Sequence, residues 1–322
     1  MQKLSHIVIF ALLSLWGGSA PAAEFPTRPL TLIVPFVPGG SSDITARAIQ
    51  PALNRELGQT VVIDNKPGAN GSIGAAELTR AQPDGYTMLI GSIGTFAINP
   101  SVYKKLSYDP SSDFRYLTQA VRTPNVLVVN PGLDVQDIAG LLAYAREHPD
   151  QMAYANSGAG SSDHLSAVLF RQRSHTAGVD VPYRGGGAAI TDTLSGQVKV
   201  MFMNLGAVLQ HIESGKLRAL AVTSERRDPS LPGVPTMEEA GIPGMVVYSW
   251  QNIAVPKGTP TAIVDILSAK LRAALTDPKS KAVLERQGYE VVASSWQDAD
   301  AWQQEETRRW AEVVRTANIH LD

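Results

Sequence analysis

The 322-residue sequence contains no cysteine. That absence excludes disulfides, thiolate metal sites and a cysteine nucleophile. It has no large excess of one charge either, with 28 Lys and Arg against 30 Asp and Glu, and no basic run longer than the pairs Lys104-Lys105, Arg226-Arg227 and Arg308-Arg309. A nucleic-acid partner needs a basic stripe, so that class is disfavoured. No stretch beyond the amino-terminal segment is long and apolar enough to read as a transmembrane helix. The phosphate-loop and dinucleotide fingerprints are missing, as are a G-x-S-x-G elbow and an H-E-x-x-H pair. No cofactor or metal is expected, and nothing in the chain reads as an enzyme. His164 lies near Ser161 and Asp163, but adjacency in sequence does not make a relay.

Apolar residues make up 44% of the chain and charged ones 18%, which supports a sizeable core and a two-domain expectation. The opening "MQKLSHIVIFALLSLWGGSAPAAEFP" carries Lys3, a short apolar run and then small residues. This is the order of a secretory signal peptide, expected over residues 1–22. Beyond it, "LTLIVPF", "VVIDN" and "YTMLIG" read as buried strands alternating with helices in "SDITARAIQPALNRELG" and "AAELTRA". Pro51 suggests a kink or a late start in the first helix. A second alternation runs from "NVLVVNP" through "VKVMFMN" and "LRALAVTS", and the last section is "SWQNIAVP" followed mostly by amphipathic helix. The expected fold is α/β, with two doubly wound, mostly parallel sheets and a cleft between two lobes. Domain 1 is expected over residues 23–123 plus 247–322 and domain 2 over 124–246, with crossings near 121–126 and 245–252.

Two loops repeat one chemistry. Val37-Pro38-Gly39-Gly40-Ser41-Ser42-Asp43 follows the first strand, and Ser157-Gly158-Ala159-Gly160-Ser161-Ser162-Asp163-His164 follows a strand in the second unit. Glycines let main chain approach a ligand, and a helix start offers unpaired N–H groups and a dipole that favours an anion. Such a pair suits a carboxylate. The plainer alternative is that Ser42 or Ser162 caps its helix and the glycines only turn the chain. Asp43 and Asp163 would repel a bound carboxylate, so each is expected to bond to the amides of its own loop. Further candidate walls are Ser92, Thr95, Phe96 and Asn99 in "GSIGTFAIN", Arg184 and Gly185 in "VPYRGGGAA", Met203 and Asn204 in "VKVMFMN", and Trp250. Phe96 or Trp250 would pack on a ligand skeleton, or else belong to the core.

The ordered motifs "RPLTLIVPFVPGGSSDITAR", "LGQTVVIDNKPGANGSIGA", "PDGYTMLIGSIGTFAINPSVYKKLSYDPSSDF", "NSGAGSSDHL", "VPYRGGGAAITDTLSGQVKVMF" and "LPGVPTMEEAG" carry a resemblance over nearly the whole chain after the leader. It resembles the Bug/TctC family, the periplasmic solute-binding proteins of tripartite tricarboxylate transporters. The resemblance implies a two-lobed Venus flytrap that closes on a small organic acid in the periplasm, acts as a monomer and delivers its cargo to membrane permease subunits. It places ligand contacts on Gly39 to Asp43, on Ser157, Gly158, Gly160, Ser161, Ser162 and His164, and on Ser92, Thr95 and Asn99. Two departures stand out: Met203, where many members have Asp, and Gln251-Asn252 after Trp250, where an aromatic and a glycine are usual. Loss of the acidic group leans toward a carboxylate without an amine, a dicarboxylate or an aromatic acid. A periplasmic sensor feeding a two-component partner is the alternative.

Overall fold

The computed structural model describes residues 25–319, so the expected signal peptide lies outside the described residues. The first lobe opens with β1 (Leu30–Val34), α1 (Ser41–Leu57), β2 (Val61–Asn65), α2 (Ser72–Leu78) and β3 (Thr87–Ser92). A π-helical turn at Gly94–Ile98 and the short α3 (Asn99–Val102) follow. The second lobe carries α4 (Ile138–Glu147), β5 (Ala153–Asn156), α5 (Ser162–Ser174), β6 (Val179–Pro182), α6 (Gly186–Ser195), β7 (Val200–Asn204), α7 (Leu205–Glu213) and β8 (Arg218–Val222). The chain then returns through β9 (Tyr248–Pro256), α8 (Thr261–Thr276), α9 (Pro278–Arg286), β10 (Glu290–Val291) and α10 (Trp296–Ala317).

Both lobes hang on β4 (Phe114–Val129), a strand of 16 residues. Phe114 to Pro124 pair antiparallel with β9, and Asn125 to Val129 pair antiparallel with β7. The strand order β2-β1-β3-β9-β4-β7-β5-β6 therefore runs through the whole molecule as one curled sheet. Its flanks are parallel, β2-β1-β3 on one side and β7-β5-β6 on the other. The middle is not, which corrects the expectation of mostly parallel sheets. A strand leaving a lobe and a strand coming back to it run in opposite directions, so where β4 and β9 lie side by side their ladder is antiparallel. The two-lobed α/β arrangement itself is as expected.

Sequence reasoning starts the strand too late, at Asn125, because "FRYLTQAVRT" mixes charged and polar residues with apolar ones. Packed between neighbours on both sides, those residues are nearly all buried. Pro51 neither kinks nor delays α1, which runs unbroken past it with the ring on the solvent side. There the carbonyl deprived of its partner is open to water. Gly58 ends the helix in the left-handed conformation, φ 64°.

Three apolar cores result among the described residues. One lies between the sheet and α1 and α8, with Ile49, Leu53, Ile90, Ile253 and Leu271. A second lies under α6 and α7. The third passes beneath both lobes and includes Phe96, Phe114, Tyr116, Phe170, Phe202, Trp250 and Trp310. Phe96 sits edge-on to Tyr116 at 5.0 Å and to Phe114 at 5.7 Å. Trp250 and Trp310 both donate their indole N–H to Glu306 Oε2 at 2.9 Å. Glu306 is 3% exposed and also pairs with Arg309 at 3.3 Å. One carboxylate thus satisfies two buried donors and fixes α10 against β9.

Near the strand that joins the lobes, main chain meets main chain. A Cβ at Gly206, on α7, would lie 2.0 Å from the carbonyl oxygen of Gln287, and one at Gly288 would lie 2.4 Å from Gly206 Cα. Only glycine fits on either side.

Glu306→Ala strands both indole donors in the core, and the expected loss of stability is about 3 kcal/mol. Urea denaturation of the variant measures it, and a loss under about 0.5 kcal/mol would show the carboxylate to be dispensable.

Candidate functional site

The site is built where strands end and helices begin. β1 runs into Val37, Pro38 and Gly39, all exposed, and Gly39 takes φ 80°. Gly40 is the N-cap of α1, with φ −74° and ψ 167°, and no side chain takes the first-turn amides. Neither Ser41 nor Ser42 caps this helix. The N–H groups of the first turn have no intrahelical acceptor, so this end of a 17-residue helix offers donors and a positive dipole end together.

Asp43 is 2% exposed and turned back into its own loop. Its carboxylate accepts from Gly39 N at 2.9 Å, Arg47 Nε at 2.8 Å and Asn65 Nδ2 at 3.0 Å. Burial pushes the carboxyl up, but the bonds from Arg47, Gly39 and Asn65 outweigh it and hold the group below its ordinary value. The second loop repeats the device. Asp163 accepts from Ser157 N at 2.6 Å and from Ser157 Oγ at 2.8 Å. Each aspartate shapes its loop, as its place in the first turn suggests.

Capping differs between the two. Ser161, not Ser162, caps α5, its Oγ accepting from His164 N at 3.2 Å. His164 Nδ1 accepts from Gly160 N at 3.1 Å, and Nε2 faces Asp180 at 3.6 Å. Asp180 holds Arg171 through two bonds of 2.9 and 2.6 Å. Burial raises its carboxyl, and hydrogen bonds from His164 and Arg171 bring it below the usual range. With Nδ1 occupied by a main-chain amide and Asp163 bonded to Ser157, the trio Ser161, His164 and Asp163 forms no relay. Among the described residues no group of three or more His, Cys, Asp or Glu is placed to hold a metal ion.

The other candidates divide. Ser92 is half-buried and contacts Thr95 Oγ1 at 3.4 Å. Thr95 and Asn99 are fully buried in a polar knot, where the two N–H groups of Asn99 Nδ2 are shared among Asn70 O, Ser72 Oγ and Tyr108 OH, each 3.1 Å away. Gly185, φ 112°, donates to Ser157 O at 3.0 Å, and Arg184 beside it is exposed. Asn204 Nδ2 donates to Asn125 Oδ1 at 2.9 Å. Met203 is 2% exposed and lies beneath Gly186. Phe96 and Trp250 correct the expectation of an aromatic wall, since both are fully buried and belong to the core beneath α10.

Two residues go unread in the sequence, and a third, Gln251, is read only as a departure from the family pattern. Asn70, in a left-handed conformation with φ 49°, donates from Nδ2 to Asn99 Oδ1 at 2.9 Å and across the cleft to Gly160 O at 3.3 Å. Its own segment, "KPGANGSIGA", reads only as a glycine-rich link. Tyr289 OH meets Ser41 Oγ from 248 positions away in the chain, where no local pattern signals it. Gln251 Nε2 donates to the same Ser41 Oγ at 2.7 Å. The departure from the family pattern at this position was the one available clue.

Asp43 generates a pH dependence whose sign follows from its lowered pKa. The stabilisation is complete above the unfolded carboxyl value of about 3.9 and is lost as pH falls through the lower folded value. Asp43→Asn is expected to cost about 1–3 kcal/mol at neutral pH, with the gap to the parent closing in acid. Denaturation from neutral pH to about pH 2 tests this, and a gap constant over that range contradicts it.

The family model for the tripartite tricarboxylate transporter family receptor, TctC, matches residues 45–319. Protein BugT of Bordetella pertussis is 38% identical over 320 residues, covering 98% of this chain and 97% of its own. Among solved structures, R. palustris Rpa4515 with adipate is similar at 38% identity and TM-score 0.84, covering 92% of this chain and 100% of that one. The periplasmic binding protein BugD follows at 35% and 0.81, covering 92% and 99%. MatC from Rhodopseudomonas palustris with bound malate is 32% identical with TM-score 0.80, covering 90% and 100%. The family model covers most of the chain and these relatives cover nearly all of it, and the protein belongs to the Bug/TctC family of periplasmic solute-binding receptors of tripartite tricarboxylate transporters.

Proposed function

We propose that this receptor captures a small aliphatic dicarboxylate between its lobes and hands it, as a monomer, to the membrane subunits of a tripartite tricarboxylate-type transporter. One observation carries the reading: both loops engage their own carboxylate internally, and at the start of α1 no side chain caps the helix, which leaves its first-turn amides as the groups that greet an anion. A carboxylate bound there faces donors without a competing free carboxylate. Water bridges between such donors and a ligand are physically adequate. Two opposed loops suit the two ends of a diacid.

An aromatic acid is less favoured, because Phe96 and Trp250 are fully buried in the core and Met203 lies beneath Gly186. A tricarboxylate would ask for more positive charge than the exposed Arg184 adds. The relatives agree in class: one 38% identical protein is described with adipate and one 32% identical protein with malate. The proposed lobes are residues 23–123 with 247–322, and 124–246. Support for that division comes from β4, which changes partner between Pro124 and Asn125, and from β9, which begins at Tyr248. Ligand contacts from both loops would favour the closed form, so binding shifts an equilibrium between open and closed states.

A thermal-shift and calorimetry panel of aliphatic dicarboxylates, aromatic acids, citrate and amino acids tests the substrate class. A dicarboxylate should raise the melting temperature most, by the equivalent of about 2.7 kcal/mol at a hundred times Kd. A shift confined to aromatic acids or amino acids would refute the proposal. Ser41 separates the amide from the hydroxyl. Its predecessor Gly40 is extended, so proline at this first helical position removes the N–H while keeping the helix. Ser41→Pro should bind about tenfold more weakly than Ser41→Ala, and equal affinities would remove the amide from the site.

A further inference from the structure

Gln251 is 3% exposed, yet its carboxamide is only half satisfied. Nε2 donates to Ser41 Oγ at 2.7 Å, whereas Oε1 is buried with no hydrogen-bond partner among the described residues. In the sheet it stands opposite Ser92 on β3, so the two side chains share a face at the carboxyl end of that parallel strand. That is the face on which α1 begins. Asn252, the next residue, points to the other face with Trp250. The unpartnered acceptor therefore belongs to a side chain that is bonded to Ser41 and shares a sheet face with Ser92, two candidates for the carboxylate site, and a buried acceptor without a partner is costly unless water or ligand supplies a donor.

We propose that Gln251 is a specificity-determining residue of this cleft, its free carboxamide oxygen accepting a hydrogen bond from a hydroxyl group on a hydroxy acid. The inference rests on the carboxylate reading above and narrows it. A neutral acceptor suits a neutral donor. An ammonium group would enter a site whose nearby carboxylates, Asp43 and Asp163, are already bonded to their own loops, and where Met203 is apolar. A plain dicarboxylate would leave Oε1 open or held by water.

Matched pairs differing by one hydroxyl test this: succinate with malate, and adipate with 2-hydroxyadipate, titrated by calorimetry into the parent protein and Gln251→Met. Methionine keeps the length of the side chain and removes the strong acceptor. In the parent the better-fitting hydroxy acid should bind about tenfold more tightly than its partner, and in Gln251→Met that ratio should fall to near one. Equal affinity within each pair in the parent overturns the inference and leaves the dicarboxylate reading intact. So does a ratio that survives in Gln251→Met. A turned-over carboxamide would expose Nε2 as the free group; the variant would then weaken both members of a pair equally, which also counts against the proposal. If no diacid of either kind binds the parent, it is the underlying carboxylate reading that fails. The ligand-free melting temperature of the variant separates loss of recognition from loss of fold.

Discussion

Two aspartates bonded into their own loops set the character of the cleft. An anion-binding helix end with an acidic residue in its first turn is self-defeating if that residue faces the ligand. Here Asp43 and Asp163 are buried, and each accepts from the amide that opens its glycine-rich turn. The same bond does two things: it neutralises a local donor and holds the turn so that the remaining amides keep one orientation. Preorganised donors lose little entropy when a ligand arrives. On the proposed reading, the field at the loops comes from helix ends rather than from a mobile cation.

The lobes that carry these loops are joined by a continuous ladder. β4 and β9 pair from Phe114 to Pro124, with register shifts between Tyr116 and Thr118 and between Gln119 and Val121, and β4 then runs on to pair with β7 in the other lobe. Beside that junction, Gly206 and the Gln287-Gly288 main chain touch with no room for a side chain. Asn70 adds a polar contact across the cleft, to Gly160 O, from a turn locked by Thr95 and Asn99. The lobes are thus in contact through main-chain groups and one side-chain amide held by its neighbours, which leaves little rotamer entropy to lose. A ligand that bridges the two loops adds to contacts the protein already makes.

Beneath the loops the chemistry is relayed by neutral groups. Ser41 is met by Gln251 and Tyr289, while Asn204, Asn125 and Ser166 form a chain below the second loop. Burial pushes the Tyr289 phenol above its ordinary pKa, although hydrogen bonds from Ser41 and Gln251 oppose the shift. It therefore remains a neutral hydroxyl at physiological pH. Such networks impose direction on the site through hydrogen-bond geometry, and they do so without adding charge.

The sequence by itself determined the alternation of strand and helix, the two glycine and serine loops at helix starts, the inward role of Asp43 and Asp163, and the family. All are local: a strand's apolar run, a glycine's freedom and a first-turn carboxylate act within a few residues of one another. Tertiary structure alone decided which candidates are buried and what they bond to. Phe96 and Trp250 look like ligand walls in the sequence, but α10 covers them, and Trp250 finds its acceptor, Glu306, 56 positions later. Tyr289 and Gln251 reach Ser41 for the opposite reason, because strand pairing and the return of the chain bring distant polar groups under the first loop. Side-chain direction in a sheet depends on register, and register depends on partners that a local reading cannot supply.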